Sequence, residues 1–107
     1  MSGVSNPYRF QYEAVAASQT AQVLGGTGAV GDYVHRLIIT VNTVATATVT
    51  LIDGTGGSAQ TLALLVGAAG LVAGVYSVEV NAVSRVGAWQ VTTGAGATVV
   101  AVGQFSA

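Results

Sequence analysis

Fifteen glycines cut the chain into short runs, most visibly at Gly25-Gly26-Thr27-Gly28, Asp53-Gly54-Thr55-Gly56-Gly57 and Gly94-Ala95-Gly96. Between these breaks Val and Ala dominate, Thr is abundant, and apolar residues recur with a period of two. A two-residue period is that of a strand with one buried face, and β-branched residues fit a pleated surface. Helix signals are nearly absent. The runs predict strands over Tyr8–Ala16, Thr20–Leu24, Asp32–Val41, Ala45–Asp53, Ala59–Val66, Val75–Ala82, Ala88–Thr93 and Ala97–Phe105. About eight strands spaced about ten residues apart predict an all-β, single-domain antiparallel β-sandwich of jelly-roll-like form.

The alternation also assigns faces. In the first run Tyr8, Phe10, Tyr12 and Ala14 share one face, which is expected to be buried, while Arg9, Gln11 and Glu13 take the other. In the run from Asp32, period two places Tyr33, His35, Leu37, Ile39 and Val41 together, with Val34, Arg36, Ile38 and Thr40 on the reverse. Thr46, Thr48 and Thr50 are set against Ala47, Val49 and Leu51, a threonine ladder suited to a solvated or contacted sheet face. Pro7 sets off residues 1–7 as a polar N-terminal arm ahead of a sandwich domain at 8–107. An arm without an apolar face orders only when something else ties it down.

Charge is the second constraint. The three arginines and four carboxylates, with no lysine, leave a net charge of -1. A folded chain of this size exposes about 5,500 Å², so charges stand roughly one per 800 Å², far sparser than on a freely soluble monomer. Much of the surface is expected to meet other protein. There is no basic footprint for nucleic acid. With no cysteine and one histidine, disulfides, zinc ribbons, iron–sulfur sites and multi-histidine metal centres are excluded, and no cofactor is expected.

Several patterns suggest chemistry without carrying it. Gly26-Thr27-Gly28-Ala29-Val30-Gly31 has the GxGxxG spacing, and Asp53 follows 22 residues after its last glycine. A dinucleotide site needs a helix at that glycine to receive the pyrophosphate, whereas DYVHRLIITV has the period of a strand. His35 with Asp32 or Asp53 and a serine could be drawn as a triad, yet no GxSxG elbow exists. The sharper use of His35 is a pH-dependent contact. Four scattered carboxylates give no calcium loop. In so sparsely charged a chain, Arg36 and Arg85 are expected to pair with Glu79 and Asp32 or to sit at subunit contacts. Trp89 with Tyr33 and Tyr76 offers a platform for a sugar face.

The opening residues lack the basic region of a secretory signal. Residues 61–78 (TLALLVGAAGLVAGVYSV) reach transmembrane length and include a GxxxG spacing. Three glycines and the absence of flanking Lys or Arg favour a short strand, an apolar loop and another strand, with no membrane partner. A membrane-inserting helical hairpin is the alternative.

The aromatic first run YRFQYEAVAAS, the run QTAQVLGGTGAVGDYVHRLIITV, the block ATVTLIDGTGG and the closing VSRVGAWQVTTGAGATVVAVGQFS resemble small decoration, or cement, proteins of tailed-bacteriophage capsids. The resemblance implies a non-enzymatic virion protein on the outer capsid surface, a homotrimer that bridges major capsid protein subunits. It implies that the arm, with Ser2, Val4, Asn6 and Pro7, binds the capsid. Tyr33, His35, Arg36, Arg85 and Trp89 are then the candidate subunit-interface residues. The GAAGLVAG stretch has no counterpart in that family. The competing expectation is a receptor- or glycan-binding module of a head fibre or tail, with Trp89 at its site.

Overall fold

A computed structural model describes residues 11–65 and 72–106. Eight strands run in order: β1 (Gln11–Val15), β2 (Gln22–Val23), β3 (Tyr33–Val41), β4 (Val49–Asp53), β5 (Gln60–Leu65), β6 (Gly74–Val83), β7 (Trp89–Thr93) and β8 (Ala97–Gln104). One sheet has the order β1-β8-β3-β6 and the other β2-β7-β4-β5, every pairing being antiparallel. Within these sheets β1 pairs β8, β2 pairs β7, β3 pairs β6 and β4 pairs β5. That nesting is a long antiparallel ribbon rolled so that alternate strand pairs fall in opposite sheets, which is the jelly-roll order. The all-β sandwich expected from the two-residue period is the observed fold.

The inner faces meet in one core. Val15, Val34, Leu37, Ile39, Val41, Val99 and Ala101 come from the first sheet, and Val49, Leu51, Trp89 and Val91 from the second. Leu24 and Phe105 belong to the same cluster. Each large apolar side chain buried in this way contributes about 1.5–3 kcal/mol relative to exposure. Ala47, Val49 and Leu51 are buried opposite the less buried Thr46, Thr48 and Thr50, as the alternation requires, although Val44–Thr46 forms a 3₁₀ turn and the strand itself starts at Val49.

One face assignment is reversed and another is broken part-way along its strand. In β1 Tyr12 is 76% exposed and Ala14 is exposed, whereas Val15 is buried. β1 is an edge strand, and the face carrying Glu13 turns towards β2, where its carboxylate accepts from Gly25 N (2.7 Å) and Gln22 Nε2 (2.8 Å). These hydrogen bonds and the burial of Val15 on the same face hold the orientation, and the aromatic side is left outside. Tyr8 and Phe10 lie outside the described residues, as does the whole arm with Ser2, Val4, Asn6 and Pro7.

In β3 the alternation breaks at a β-bulge. Val34 pairs with Gly103 and Arg36 with Val102, so His35 has no counterpart on β8. On the other side Val34 pairs with Ala82 and Arg36 with Glu79, so Val80 and Asn81 stand opposite His35 alone. Asn81 takes the left-handed conformation (φ 51°) that such a kink uses and that Asn tolerates. The inserted residue shifts the parity, so that Val34 and Leu37 both point inward. Gly103 makes the bulge possible, because a Cβ there would lie 2.0 Å from the Tyr33 carbonyl oxygen and 3.0 Å from Phe105 Cζ. Gly103→Ala is expected to destabilise the fold by about 2 kcal/mol through forced separation of β8 from β3. An unchanged urea midpoint would show that β8 is not held against the bulge.

The helical-hairpin alternative is overturned by strands at Gln60–Leu65 and Gly74–Val83 within the same segment. Among the described residues no helix is long and apolar enough to cross a membrane. Residues 66–71, which include the first five of the GAAGLVAG stretch at 67–74, lie outside the described residues.

Candidate functional site

The outer face of the first sheet can be read row by row from the strand registers. One row runs Tyr12, Val102, Arg36, Glu79 and the next Ala14, Val100, Ile38, Ser77. A third holds Thr98, Thr40 and Val75, and at the other end Gln104, Tyr33 and Val83 align. A solvated sheet face ordinarily carries polar side chains. Here Tyr12, Ala14, Val100, Val102, Ile38, Val75 and Val83 stand outside, with Tyr12, Val75 and Val83 more than half exposed. Tyr12, Val102, Ala14, Val100 and Ile38 are neighbours across β1, β8 and β3, and a contiguous apolar patch is the kind of surface at which partners bind.

The polar groups on this face gather at the bulge. Tyr33 Oη donates to Asn81 Oδ1 (3.0 Å) and lies 3.1 Å from His35 Nδ1, the two rings being 6.1 Å apart. With the hydroxyl proton given to Asn81, the Nδ1–H tautomer of His35 completes the chain. Asn81 Nδ2 in turn donates to Glu79 Oε2 (3.3 Å). Arg36 reaches over the edge strand and donates from Nη1 to Ser77 Oγ (3.3 Å). Tyr33, His35 and Arg36 therefore share one outward face, although strict alternation separates Arg36 from the other two. The parity shift at His35 brings them together.

The remaining candidates are placed elsewhere. Trp89 is 3% exposed, and its Nε1 donates to the Asp32 carbonyl oxygen (2.9 Å). It presents no ring face to a sugar or to a partner, and the expectation of an interface or glycan role for it is corrected by its burial. Tyr76 packs against the core from the inner side of β6, so no platform of Trp89, Tyr33 and Tyr76 forms. Arg85 is exposed in the connection from β6 to β7, away from the bulge cluster, and its backbone N–H donates to Asp53 Oδ2 (2.8 Å). Asp32 is paired with neither arginine. Its Oδ2 accepts from Ala29 N (3.1 Å) and Ser106 N (2.9 Å), and its Oδ1 accepts from Ser106 Oγ (2.7 Å).

The same bonds account for the suggestive motifs. Asp53 accepts from three consecutive backbone N–H groups, those of Arg85, Val86 and Gly87, at 2.8–3.3 Å. Asp32 and Asp53 are thus buried anchors of loops, at 7% and 6% exposure. In the GxGxxG segment the amides of Thr27 and Gly28 donate to the Ser106 carbonyl and that of Gly31 to the Ser84 carbonyl. The segment leads into β3, so no helix N-terminus follows it to hold a phosphate. Among the described residues no group of three or more His, Asp or Glu side chains is placed to hold a metal ion.

Asn81 of the bulge cluster and the outward Tyr12 on β1 carry signals that period-two reading passes over. An Asn inside an alternating run is a marker for a left-handed residue, and the position of Tyr12 follows once Glu13 is given an inward partner. The candidate surface is accordingly a sheet face with an apolar patch and one polar cluster on its bulged strand. Comparison with family models, with curated proteins and with solved structures gave no match.

Proposed function

We propose that this protein is a non-enzymatic structural component of a virion, which attaches to the outside of a phage capsid and stabilises it by bridging major capsid protein subunits. The observation that carries the reading is the outer face of the first sheet, where Tyr12, Ala14, Val100, Val102 and Ile38 form an apolar surface whose charged neighbours among the described residues of the sheet are Arg36 and Glu79. A protein interface of standard size covers about 800 Å² per partner, which is the scale of one sheet face. Both buried carboxylates, Asp32 and Asp53, are taken up by the backbone amides of loops. The shell as partner comes from the resemblance of the strand-forming runs to small decoration proteins, and the jelly roll is an architecture that capsid proteins use.

Ile38→Glu places a charge at the centre of this face and tests the reading directly. Sedimentation with shells assembled from the cognate major capsid protein is expected to weaken at least about a hundredfold, because an unpaired charge at an interface core costs several kcal/mol. Thermal stability should stay close to that of the unmodified protein, since the Ile38 side chain points outward. Undiminished binding of a folded I38E protein would remove this face from the function.

A further inference from the structure

We infer that β6 is a self-pairing edge, which joins two copies of the chain into a twofold dimer with one continuous eight-stranded sheet. The inference stands apart from the capsid reading, whose resemblance implies a trimer, and it rests on the edge strand and the charges beside it.

Within the described residues β6 is the longest of the four edge strands, at ten residues against five for β1, two for β2 and six for β5. Among the described residues only β3 pairs with it, so the backbone groups along its other side have no protein partner there. Monomeric sandwiches blunt such edges with Lys, Pro, short strands, inward-pointing charge or bulges. β6 has no Lys or Pro, its one charge, Glu79, points outward, and its bulge at Val80 and Asn81 leaves residues 74–79 in unbroken register with β3. Of the six large hydrophobic side chains that are exposed among the described residues, Val72, Val75 and Val83 lie on or next to this strand. A regular edge stretch of this length without Lys, Pro or inward charge is a template for strand addition.

Charge selects the occupant and the register. Directly opposed residues in an antiparallel pair share a face, so the outward residues Val75, Ser77, Glu79 and Asn81 of one copy must oppose outward residues of the other. Arg36 stands beside its own Glu79 in the sheet, yet it extends to Ser77 Oγ on the edge strand, while Glu79 takes the Asn81 amide. With Val78 on the twofold axis, Glu79 of one copy faces Ser77 of the other and meets the Arg36 guanidinium already lying there. The axis repeats the pair, giving two Arg36–Glu79 contacts of opposite sense, as a self-complementary interface requires. The two Arg36 groups remain separated diagonally across the axis.

The test is the solution mass by light scattering or sedimentation over a concentration series, on the unmodified chain and on Arg36→Glu, Glu79→Arg and the double reversal. The unmodified protein should reach twice its 10.6 kDa chain mass. Each single reversal should raise the dimer dissociation constant by about tenfold or more, and the double reversal should restore it. Circular dichroism melts establish that the variants are folded, both positions being on the outer face. Three-chain mass, a persistent monomer, or dimerisation indifferent to the single reversals would overturn the inference. Shell sedimentation separates the two readings: a β6 dimer that ignores shells sinks capsid attachment alone, and shell binding by a protein without the dimer sinks self-pairing alone.

Discussion

Replacing Trp89 with alanine is expected to destabilise the fold by about 4 kcal/mol, a large part of the stability of a domain this size. The indole is the largest side chain in the core cluster, and almost none of it is exposed. Truncation removes its dispersion contacts and leaves a cavity between sheets that can relax only partly. It also removes the N–H that donates to the Asp32 carbonyl, the same carbonyl that accepts from Ser84 N (2.8 Å). Trp89→Phe separates the two contributions, since it keeps an aromatic ring and loses only the donor, at about 1–2 kcal/mol. Urea denaturation followed by circular dichroism reads both. A loss below about 1 kcal/mol in W89A would show that the indole is not part of the core, because core truncations of this size cost more. Any binding defect of W89A would then have to be judged on folded protein.

The fold was readable in the sequence to the extent that it depends on local pattern. Period two and glycine spacing give the strands, and the end positions shift by only a few residues, as in Val49 for the expected Ala45. What pattern cannot supply is the partner of each strand. The nested pairing of β1 with β8 joins residues at opposite ends of the chain, and nothing local in either strand names the other. Face assignment fails for a related reason. Tyr12 looks like the buried residue of its strand by hydrophobicity, and Glu13 like the exposed one, until Gly25 N and Gln22 are seen beside the carboxylate. An interaction between strands outweighs a preference within one.

The candidate surface shows the same division. Tyr33, His35 and Arg36 attract notice as polar residues in a nearly uncharged chain, and the structure does bring them to one face. Their union depends on a bulge produced jointly by His35, by Val80 and Asn81 on β6, and by Gly103 on β8. No single run encodes it. Trp89 illustrates the opposite error, because an isolated tryptophan invites a binding role when the fold gives it a structural one. Arg85 is informative through its backbone rather than its charge. Its N–H is the first of three that converge on Asp53.

That convergence underlies the second large effect. Asp53→Ala is expected to cost about 4 kcal/mol, since three N–H groups lose an ionised acceptor in a site with almost no access to water. The turn Asp53-Gly54 is readable in the sequence, but the amides it serves are 32 to 34 residues further along. Asp53→Asn should recover less than half of the loss, because one carboxamide oxygen remains for three donors and the new NH₂ group faces N–H groups that cannot accept. Asp53 also stands directly opposite Trp89 in the β4–β7 register. The two substitutions therefore disturb one end of the sandwich, and the double variant should lose less than the sum of the single losses. Hydrogen exchange localises the effect: the amides of Arg85, Val86 and Gly87 should lose protection in D53A before those of β3 and β8 do. Strict additivity, together with uniform loss of protection, would show that the carboxylate acts on the fold as a whole and not through this loop.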